Sequence, residues 1–254
     1  MFGRLKKRLD KKQSAVPIFH GTDRELKPEE FDFSRARNDS DLGKAAYFGL
    51  SYDSADDWAR ARDNGTVNWY VFDAEGARND DSLTIRHIED PMEMLDVVLL
   101  FIDGEYGKPE DIIIGDTLDA TTGIIIRRYQ KEARRMGIPM SQFSTEVKET
   151  MLSELKLEVY DQQIAFKTEQ GLKHVKFIGS KRANEMEIVR DLDPAEIAAK
   201  VAGLLMRRDG MTQNEALTAF MKSDTFRALV SDAELSSLSP EKILEIYDRE
   251  VDRG

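Results

Sequence analysis

Three short segments of the sequence hold residues that could bind a ligand or take part in a reaction. The first is Phe19-His20-Gly21-Thr22, where a histidine, a glycine and a hydroxyl residue follow an apolar run. A ligand can approach the backbone closely at a glycine, because glycine has no side chain. Since a histidine at a strand end is also a common hydrogen-bonded turn residue, this segment alone predicts either a ligand site or a structural turn.

The second segment is the run Gly43-Lys44-Ala45-Ala46-Tyr47-Phe48-Gly49, in which two aromatic residues are adjacent. Side chains alternate along a strand, so one of the rings of Tyr47 and Phe48 faces the core and the other faces the opposite surface. Trp58 follows eleven residues after Tyr47, in a predicted helix that begins near Ser54. These rings could stack on a flat ligand, but aromatic side chains belong to a core more often, and both interpretations stay open.

The third segment is the predicted strand around Asp161-Gln162-Gln163-Ile164-Ala165-Phe166. Ile164 and Phe166 share one face and are typical of a core, so Asp161 and Gln163 share the other face. Burying polar groups is unfavourable unless they find partners, which indicates that this face lines a cleft. An edge strand with a solvated face predicts the same pattern and is the alternative.

In this order along the chain, the three segments resemble the ADP-ribosyltransferase superfamily, specifically its His–Tyr–Glu branch, which includes diphtheria toxin and the poly(ADP-ribose) polymerases. The run from Gly43 to Phe48 is similar to the Gly-Lys-Gly-Ile-Tyr-Phe run of the polymerases. The chain also resembles an uncharacterised bacterial family of such domains through Ser34-Arg35-Ala36-Arg37, Asp161–Phe166 and Leu172-Lys173-His174-Val175-Lys176-Phe177-Ile178. The resemblance covers roughly residues 16–180.

The resemblance implies that NAD+ is the substrate and assigns roles to several residues. His20 would bind the ribose on the adenosine side, and Thr22 would support that ribose. Gly21 would hold the nicotinamide amide through its backbone N–H and carbonyl groups. Tyr47 would stack on the nicotinamide ring, with Trp58 on the other face of that ring.

Two further residues match the resemblance in their expected roles as ligands of NAD+. Ser54 would add a hydrogen bond to the nicotinamide amide, although its spacing from Tyr47 differs from that in the polymerases. Arg37 would bind the pyrophosphate, for which a planar guanidinium is well suited. No metal ion is expected, because the chain has no cysteine and only three histidines.

Gln163 stands where most relatives carry glutamate. Breaking the nicotinamide–ribose bond creates a cationic, oxocarbenium-like ribose, as glycosidic cleavage does. A glutamine can bond the ribose 2′-hydroxyl, but it supplies no negative charge and cannot act as a base. Asp161 could supply that charge or activate the acceptor, which favours transfer of a single ADP-ribose over chain elongation. The alternatives are a catalytically degenerate module that binds NAD+ or a partner, and an NAD+ glycohydrolase.

The elements that must position these residues follow from hydrophobic periodicity. Short apolar or alternating runs predict strands at Val16–His20, Ala45–Leu50, Val67–Phe72, Leu83–Ile88, Asp111–Gly115, Val159–Thr168 and His174–Ile178. Helices are predicted at Ser54–Arg62, Met92–Ile102, Ala120–Met136 and Thr145–Leu155. Strands separated by irregular loops and single helices favour an α+β domain, and the resemblance implies the split β-sheet of the ADP-ribosyltransferases.

The chain changes character after Ser180-Lys181-Arg182, and from Asp193-Pro194 onward its pattern is helical. We therefore predict a basic N-terminal extension (residues 1–15), an ADP-ribosyltransferase-like domain (residues 16–182) and a small α-helical C-terminal domain (residues 183–254). A bundle of that size is only marginally stable alone and is expected to dock on the preceding domain.

Charge and composition narrow the classes of partner. The net charge is −11, while the first twelve residues hold six basic side chains and one acidic one, so the folded body is strongly acidic. An acidic body is a poor binder of duplex nucleic acid. A protein side chain, or one nucleotide of RNA or DNA presented in a pocket, stays open as the acceptor. There is no cysteine and there are only three histidines, which argues against disulfides and against a multi-histidine metal site.

The sequence also bears on location. The longest wholly apolar run, Val97–Ile102, is far shorter than the ~20 residues of a membrane span. The basic start lacks the apolar core of a secretion signal, so a cytoplasmic protein is expected. A bacterial toxin or defence effector is one expectation, with an antitoxin or regulatory partner.

Overall fold

A computed structural model describes residues 9, 12–36, 40–117, 120–155, 161–183 and 192–252, and for residues 120–122 only the backbone. Most of the predicted basic extension, residues 1–8, 10 and 11, lies outside the described residues, and so does Arg37.

The described part of the chain is a mixture of strands and helices. The strands are β1 (Ala15–Thr22), β2 (Ala46–Gly49), β3 (Thr66–Asp73), β4 (Ile85–His87), β5 (Ile112–Asp116), β6 (Gln162–Phe166) and β7 (Val175–Arg182). The helices are α1 (Tyr52–Arg60), α2 (Ala74–Arg78), α3 (Pro91–Asp103), α4 (Ala120–Met136), α5 (Thr145–Leu155), α6 (Glu169–Leu172), α7 (Pro194–Asp209), α8 (Gln213–Lys222), α9 (Asp224–Leu229), α10 (Ala233–Ser236) and α11 (Pro240–Val251). Each predicted strand corresponds to an observed one, and the helical end of the chain is confirmed.

The chain divides into two compact units. Among the described residues, the first unit holds Asp32–Tyr47 and Asp81–Gly171, and the second unit holds Leu9–Phe31, Phe48–Asp80 and Leu172–Gly254. The chain passes from the first unit to the second within β2, between Tyr47 and Phe48.

The first unit is built on strands in the order β4-β5-β6, followed by the start of β2. Strands β4 and β5 are parallel, whereas β5 and β6 are antiparallel, with Ile113 opposite Ala165 and Gly115 opposite Gln163. Ile113 and Ala165 belong to a core that also holds apolar side chains of α3, α4 and α5. Helix α3 begins at the cap residue Asp90, whose carboxylate accepts a hydrogen bond from a first-turn N–H.

The second unit is built on the end of β2 and on β1, β3 and β7, which are antiparallel neighbours in that order. Its core joins Phe19 of β1 and Trp69 of β3 to residues of α7, α8 and α9, including Phe220 and Phe226. The indole N–H of Trp69 donates to the carbonyl oxygen of Met221 at 3.3 Å. The C-terminal helices therefore share one core with these strands.

A buried carboxylate connects two helix starts in the second unit. Asp193 accepts hydrogen bonds from the hydroxyl of Ser51 at 2.8 Å and from the N–H of Ala195 at 2.8 Å. It also accepts from the N–H groups of Tyr52 and Asp53, in the first turn of α1. Because the N-terminal end of a helix carries a partial positive charge, one carboxylate stabilises both α1 and α7.

In the part of the chain that the structure describes, no helix has the length and apolar content that crossing a bilayer requires.

Candidate functional site

His20 lies on β1 in the second unit, opposite Asn68 of β3. Its ring is half-buried between two phenyl rings, with its centroid 5.3 Å from that of Phe31 and 5.6 Å from that of Phe48. The ring is therefore held by aromatic packing in a defined orientation.

Gly21 lies directly beneath helix α1. A Cβ atom at this position would lie 2.2 Å from the carbonyl oxygen of Ala55 and 2.9 Å from the backbone nitrogen of Ala59, which no other residue type could accommodate. The packing of α1 on β1 is thus sufficient to explain this glycine. Access of a ligand to the backbone, which the sequence suggested, is a separate hypothesis.

The loop that follows β1 is fixed by two buried side chains of β3. The amide of Asn68 accepts from the N–H of Leu26 at 3.0 Å and donates to the carbonyl oxygen of Arg24 at 3.0 Å. The hydroxyl of Tyr70 donates to the carbonyl oxygen of Leu26 at 2.6 Å. No local pattern marks Asn68 and Tyr70 as positioning residues, because their partners lie more than 40 residues away along the chain. Thr22, at the start of the loop, donates to the carboxylate of Asp23.

Helix α1 carries the other two candidates of the second unit. The N–H of Ser54 donates to the hydroxyl of the cap residue Ser51 at 3.2 Å, so Ser54 sits in the first turn. Trp58 is 56% exposed, with the guanidinium of Arg62 lying 5.8 Å from its ring centroid. A core role for Trp58 is thereby excluded, and its ring faces solvent.

Tyr47 lies in the first unit and packs against the core there. Its hydroxyl accepts from the N–H of Leu42 at 3.1 Å and donates to the carbonyl oxygen of Gly43 at 2.6 Å. Burial raises the pKa of the Tyr47 hydroxyl above its ordinary value, so the group stays protonated. The hydroxyl is committed to the turn, and what Tyr47 can offer a ligand is its partly exposed ring.

A lysine that no sequence motif marks, Lys167, contacts the same turn. The ammonium of Lys167 donates to the carbonyl oxygen of Leu42 and lies 4.3 Å from the ring centroid of Phe101. Burial lowers the pKa of Lys167 to about 8, while the nearby carboxylate of Glu110 acts in the opposite direction. Gly43 has a φ of 68°, a left-handed conformation that suits glycine, and a Cβ atom at this position would lie 2.8 Å from the ring of Phe101.

Gln163 is buried on β6, with 7% of its surface exposed. Strand β6 has neighbours on both sides, β5 and β2, so the alternative of a solvated edge strand is wrong. The amide of Gln163 donates to the carbonyl oxygen of Asp116 at 3.4 Å. The neighbouring Gln162 points to the opposite face, where its amide nitrogen is 3.4 Å from His87 Nε2.

The side chains of Tyr47 and Gln163 lie on the same face of the sheet in the first unit. Gly115, directly opposite Gln163, faces Met94 of α3, because a Cβ there would lie 2.8 Å from the Met94 sulfur. Directly opposite residues in an antiparallel pair share a face. Tyr47 packs against the core cluster that contains Met94. The structure thus brings these two candidates to the face covered by α3.

Asp161 lies immediately before β6, two residues before Gln163, and is partly exposed. Its carbonyl oxygen accepts from the N–H of Thr117 at 3.0 Å, which fixes the backbone at this point. Asp116 is a buried carboxylate residue directly opposite Gln162, so its side chain lies on the other face of the sheet from Gln163. Within the described ranges, no group of three or more histidine or carboxylate residues is arranged to hold a metal ion.

Comparison with known families gives one match. The profile of a family described as "Protein of unknown function (DUF3990)" matches residues 16–177. The match covers more than half of the chain, and the protein belongs to this family. No curated protein and no solved structure matches the chain.

Proposed function

We propose that this protein is an NAD+-dependent mono-ADP-ribosyltransferase that modifies a macromolecular acceptor. The observation that carries the proposal is the common face of Tyr47 and Gln163 in the first unit, because these are the residues that the resemblance assigns to the nicotinamide ring and the reacting ribose. His20, Gly21 and Thr22 on β1 supply the residues assigned to the dinucleotide in the second unit.

In the proposed reaction the bond between the ribose C1′ and the nicotinamide nitrogen breaks, and its electron pair leaves with nicotinamide. An acceptor oxygen or nitrogen then forms a bond to C1′ and gives up its proton. The Tyr47 ring stacks on nicotinamide, and the Gln163 amide bonds the ribose 2′-hydroxyl. Asp161 contributes the negative charge that Gln163 lacks, or takes the acceptor proton.

Three further residues are proposed to bind NAD+. Trp58 has an exposed ring on α1, as stacking on the second face of nicotinamide requires. Ser54 donates a hydrogen bond to the nicotinamide amide. Arg37, which lies outside the described residues, binds the pyrophosphate. A cytoplasmic location, a role as a bacterial toxin or defence effector, and an antitoxin or regulatory partner also belong to this proposal and rest on the sequence alone.

A second candidate function is a module that binds NAD+ without turnover, and the environment of Gln163 favours it. The amide of Gln163 donates to the carbonyl oxygen of Asp116 and carries no charge, so it stabilises a cationic ribose less than a carboxylate does. Hydrolysis of NAD+ by water is the remaining alternative.

The deciding experiment incubates the full-length protein with isotopically labelled NAD+, with and without cell extract. Transfer predicts nicotinamide release that rises with extract, and labelled ADP-ribose on a macromolecule by mass spectrometry. Release that is independent of extract identifies a glycohydrolase. A rise in melting temperature with NAD+ but no nicotinamide release identifies the binding module. If NAD+ causes neither a rise in melting temperature nor nicotinamide release, all three functions are refuted.

A further inference from the structure

Helix α4 of the first unit carries a concentration of positive charge in an acidic protein. Between Ala120 and Met136 there are five basic residues and one acidic residue, although the whole chain has a net charge of −11. All five basic residues are exposed: Arg127, Arg128, Lys131, Arg134 and Arg135. We call the line formed by Arg127, Lys131 and Arg134 the α4 stripe. Its members are spaced by four and three residues, so they lie on one side of the helix over about 11 Å.

The two cations of α4 outside the stripe are paired with carboxylates, whereas those of the stripe have no ion pair among the described residues. Arg128 is paired with Glu154, and Arg135 is paired with Glu132. Among the described residues, no carboxylate forms an ion pair with Arg127, Lys131 or Arg134 in the structure. Three neighbouring cations that have no ion-pair partner among the described residues repel one another, and binding an anion reduces that repulsion.

The rest of the helix disfavours a lipid partner. The apolar side of α4 is already used, since Ile126 and Ala133 are buried in the core. Among the described side chains of α4, the large apolar ones that are exposed are Ile124 and Met136, and they lie twelve residues apart near the two ends of the helix. A helix that lies in a membrane surface needs a continuous exposed apolar face. The exposed side of α4 is a charged face instead.

A cleft adjoins the stripe at Arg134. It has a volume of about 340 Å³ and is lined by α3, by α4 and by the segment that follows α4. Ile102, Ile138 and Met140 provide apolar walls, and Gln130 provides an amide with both donor and acceptor groups. The cleft is also lined by Asp103, whose carboxylate accepts a hydrogen bond from the N–H of Ser141. A flat group with polar edges, such as a nucleobase, fits this combination of walls and amide. The guanidinium of Arg134 also lines the cleft and can bind a phosphate next to that base.

We propose that this face of α4 binds a short single-stranded nucleic acid. Phosphates lie along Arg127, Lys131 and Arg134, and one base enters the cleft beside Gln130. Arginine favours phosphate, because its planar guanidinium can donate two parallel hydrogen bonds. The acidic remainder of the protein limits the contact to a few nucleotides and excludes a long duplex. The proposal is independent of any reaction with NAD+.

The test is fluorescence anisotropy of labelled ten-nucleotide strands, one of DNA and one of RNA, with the full-length protein at a series of salt concentrations and without NAD+. Three neutralised phosphates predict a slope of log K against log salt of about −2. A variant that combines Arg127→Gln, Lys131→Gln and Arg134→Gln is expected to bind more than about tenfold more weakly at low salt and to lose most of that slope. Glutamine preserves helix propensity, so the variant should fold.

The matched control removes three exposed helical cations of the second unit, through Lys200→Gln, Lys222→Gln and Arg249→Gln. Its affinity is expected to be nearly that of the unaltered protein. A variant with Gln130→Ala should weaken binding of a normal strand but not of an abasic strand, if a base occupies the cleft.

Four outcomes would overturn the proposal. They are no binding at low salt, equal losses in the stripe variant and the control, equally effective competition by polyglutamate, and stronger binding to anionic vesicles than to either strand. Polyglutamate competition would identify a general anion surface or an acidic protein partner, and vesicle binding would identify a lipid surface. Preference for one of the two strands distinguishes RNA from DNA.

Discussion

The hydroxyl of Tyr47 donates a hydrogen bond to the carbonyl oxygen of Gly43, four residues earlier, at a distance of 2.6 Å. Because the same hydroxyl accepts from the N–H of Leu42, it closes the turn that leads into β2. The phenol group thus has a structural role, whereas the proposed contact with nicotinamide involves only the ring. The two roles can be separated by two substitutions at one position.

Tyr47→Phe keeps the ring and removes both hydrogen bonds. We expect a loss of about 1–2 kcal/mol in the free energy of unfolding, measured in urea, with nicotinamide release nearly unchanged. Tyr47→Ala removes the ring as well and should abolish the rise in melting temperature that NAD+ produces. If NAD+ still raised the melting temperature of Tyr47→Ala, the ring would have no part in binding.

Gln163→Ala should lower nicotinamide release about 10²-fold while NAD+ still raises the melting temperature, because the lost bond acts mainly on the transition state. Gln163→Glu adds a carboxylate on the same strand and should increase release. Asp161→Asn, a change of one atom at the strand entrance, should reduce transfer with little effect on NAD+ affinity. Activity that is unchanged in both Gln163→Ala and Asp161→Asn would remove β6 from the mechanism.

Lys167 should titrate near pH 8 in the folded protein, because burial lowers the pKa of its ammonium to about 8. Above pH 8 the unfolded chain holds this proton and the folded chain does not, so stability should rise with pH until the ordinary lysine pKa is reached. Lys167→Met removes the titrating group and should flatten this rise, as measured by urea midpoints between about pH 8 and pH 10. Lys200→Met, at an exposed position on α7, is the control and should leave the slope as it is.

A chain that ends at Arg182 tests the predicted boundary between residues 16–182 and 183–254. The truncation removes the partners of Trp69, including Phe226, whose ring centroid is 5.7 Å away, and it removes Asp193 from the start of α1. We expect the truncated chain to lose its cooperative thermal transition in far-ultraviolet circular dichroism. In the full chain, Phe226→Ala should lower the free energy of unfolding by about 3–5 kcal/mol. A sharp transition in the truncated chain would instead show that residues 16–182 fold independently.

Local patterns predicted much of the secondary structure. Helices α4 and α5 have the predicted bounds, since a long apolar periodicity identifies them without reference to the rest of the chain. Strand β7 runs four residues beyond its predicted end, to Arg182, because it pairs with β3 as far as Thr66. That pairing joins residues more than a hundred positions apart, and no local pattern contains it.

In the candidate site, too, some residues are identified by local patterns and others depend on contacts with distant segments. His20, Tyr47 and Gln163 stand out by residue type and order, and each lies on a strand as predicted. Lys167 and Asn68 do not stand out, because their importance depends on bonds to backbone groups of distant segments. Arg37 and most of the basic extension lie outside the described residues and stay predictions.

The contact between Gly21 and α1 bears on how related sequences should be interpreted. Any chain that packs a helix this closely on β1 needs a glycine there, whether or not it uses NAD+. The glycine is therefore required by the packing of α1 on β1, and its presence alone does not diagnose activity. Chemical competence should be inferred from positions 47, 161 and 163, which take no part in this contact.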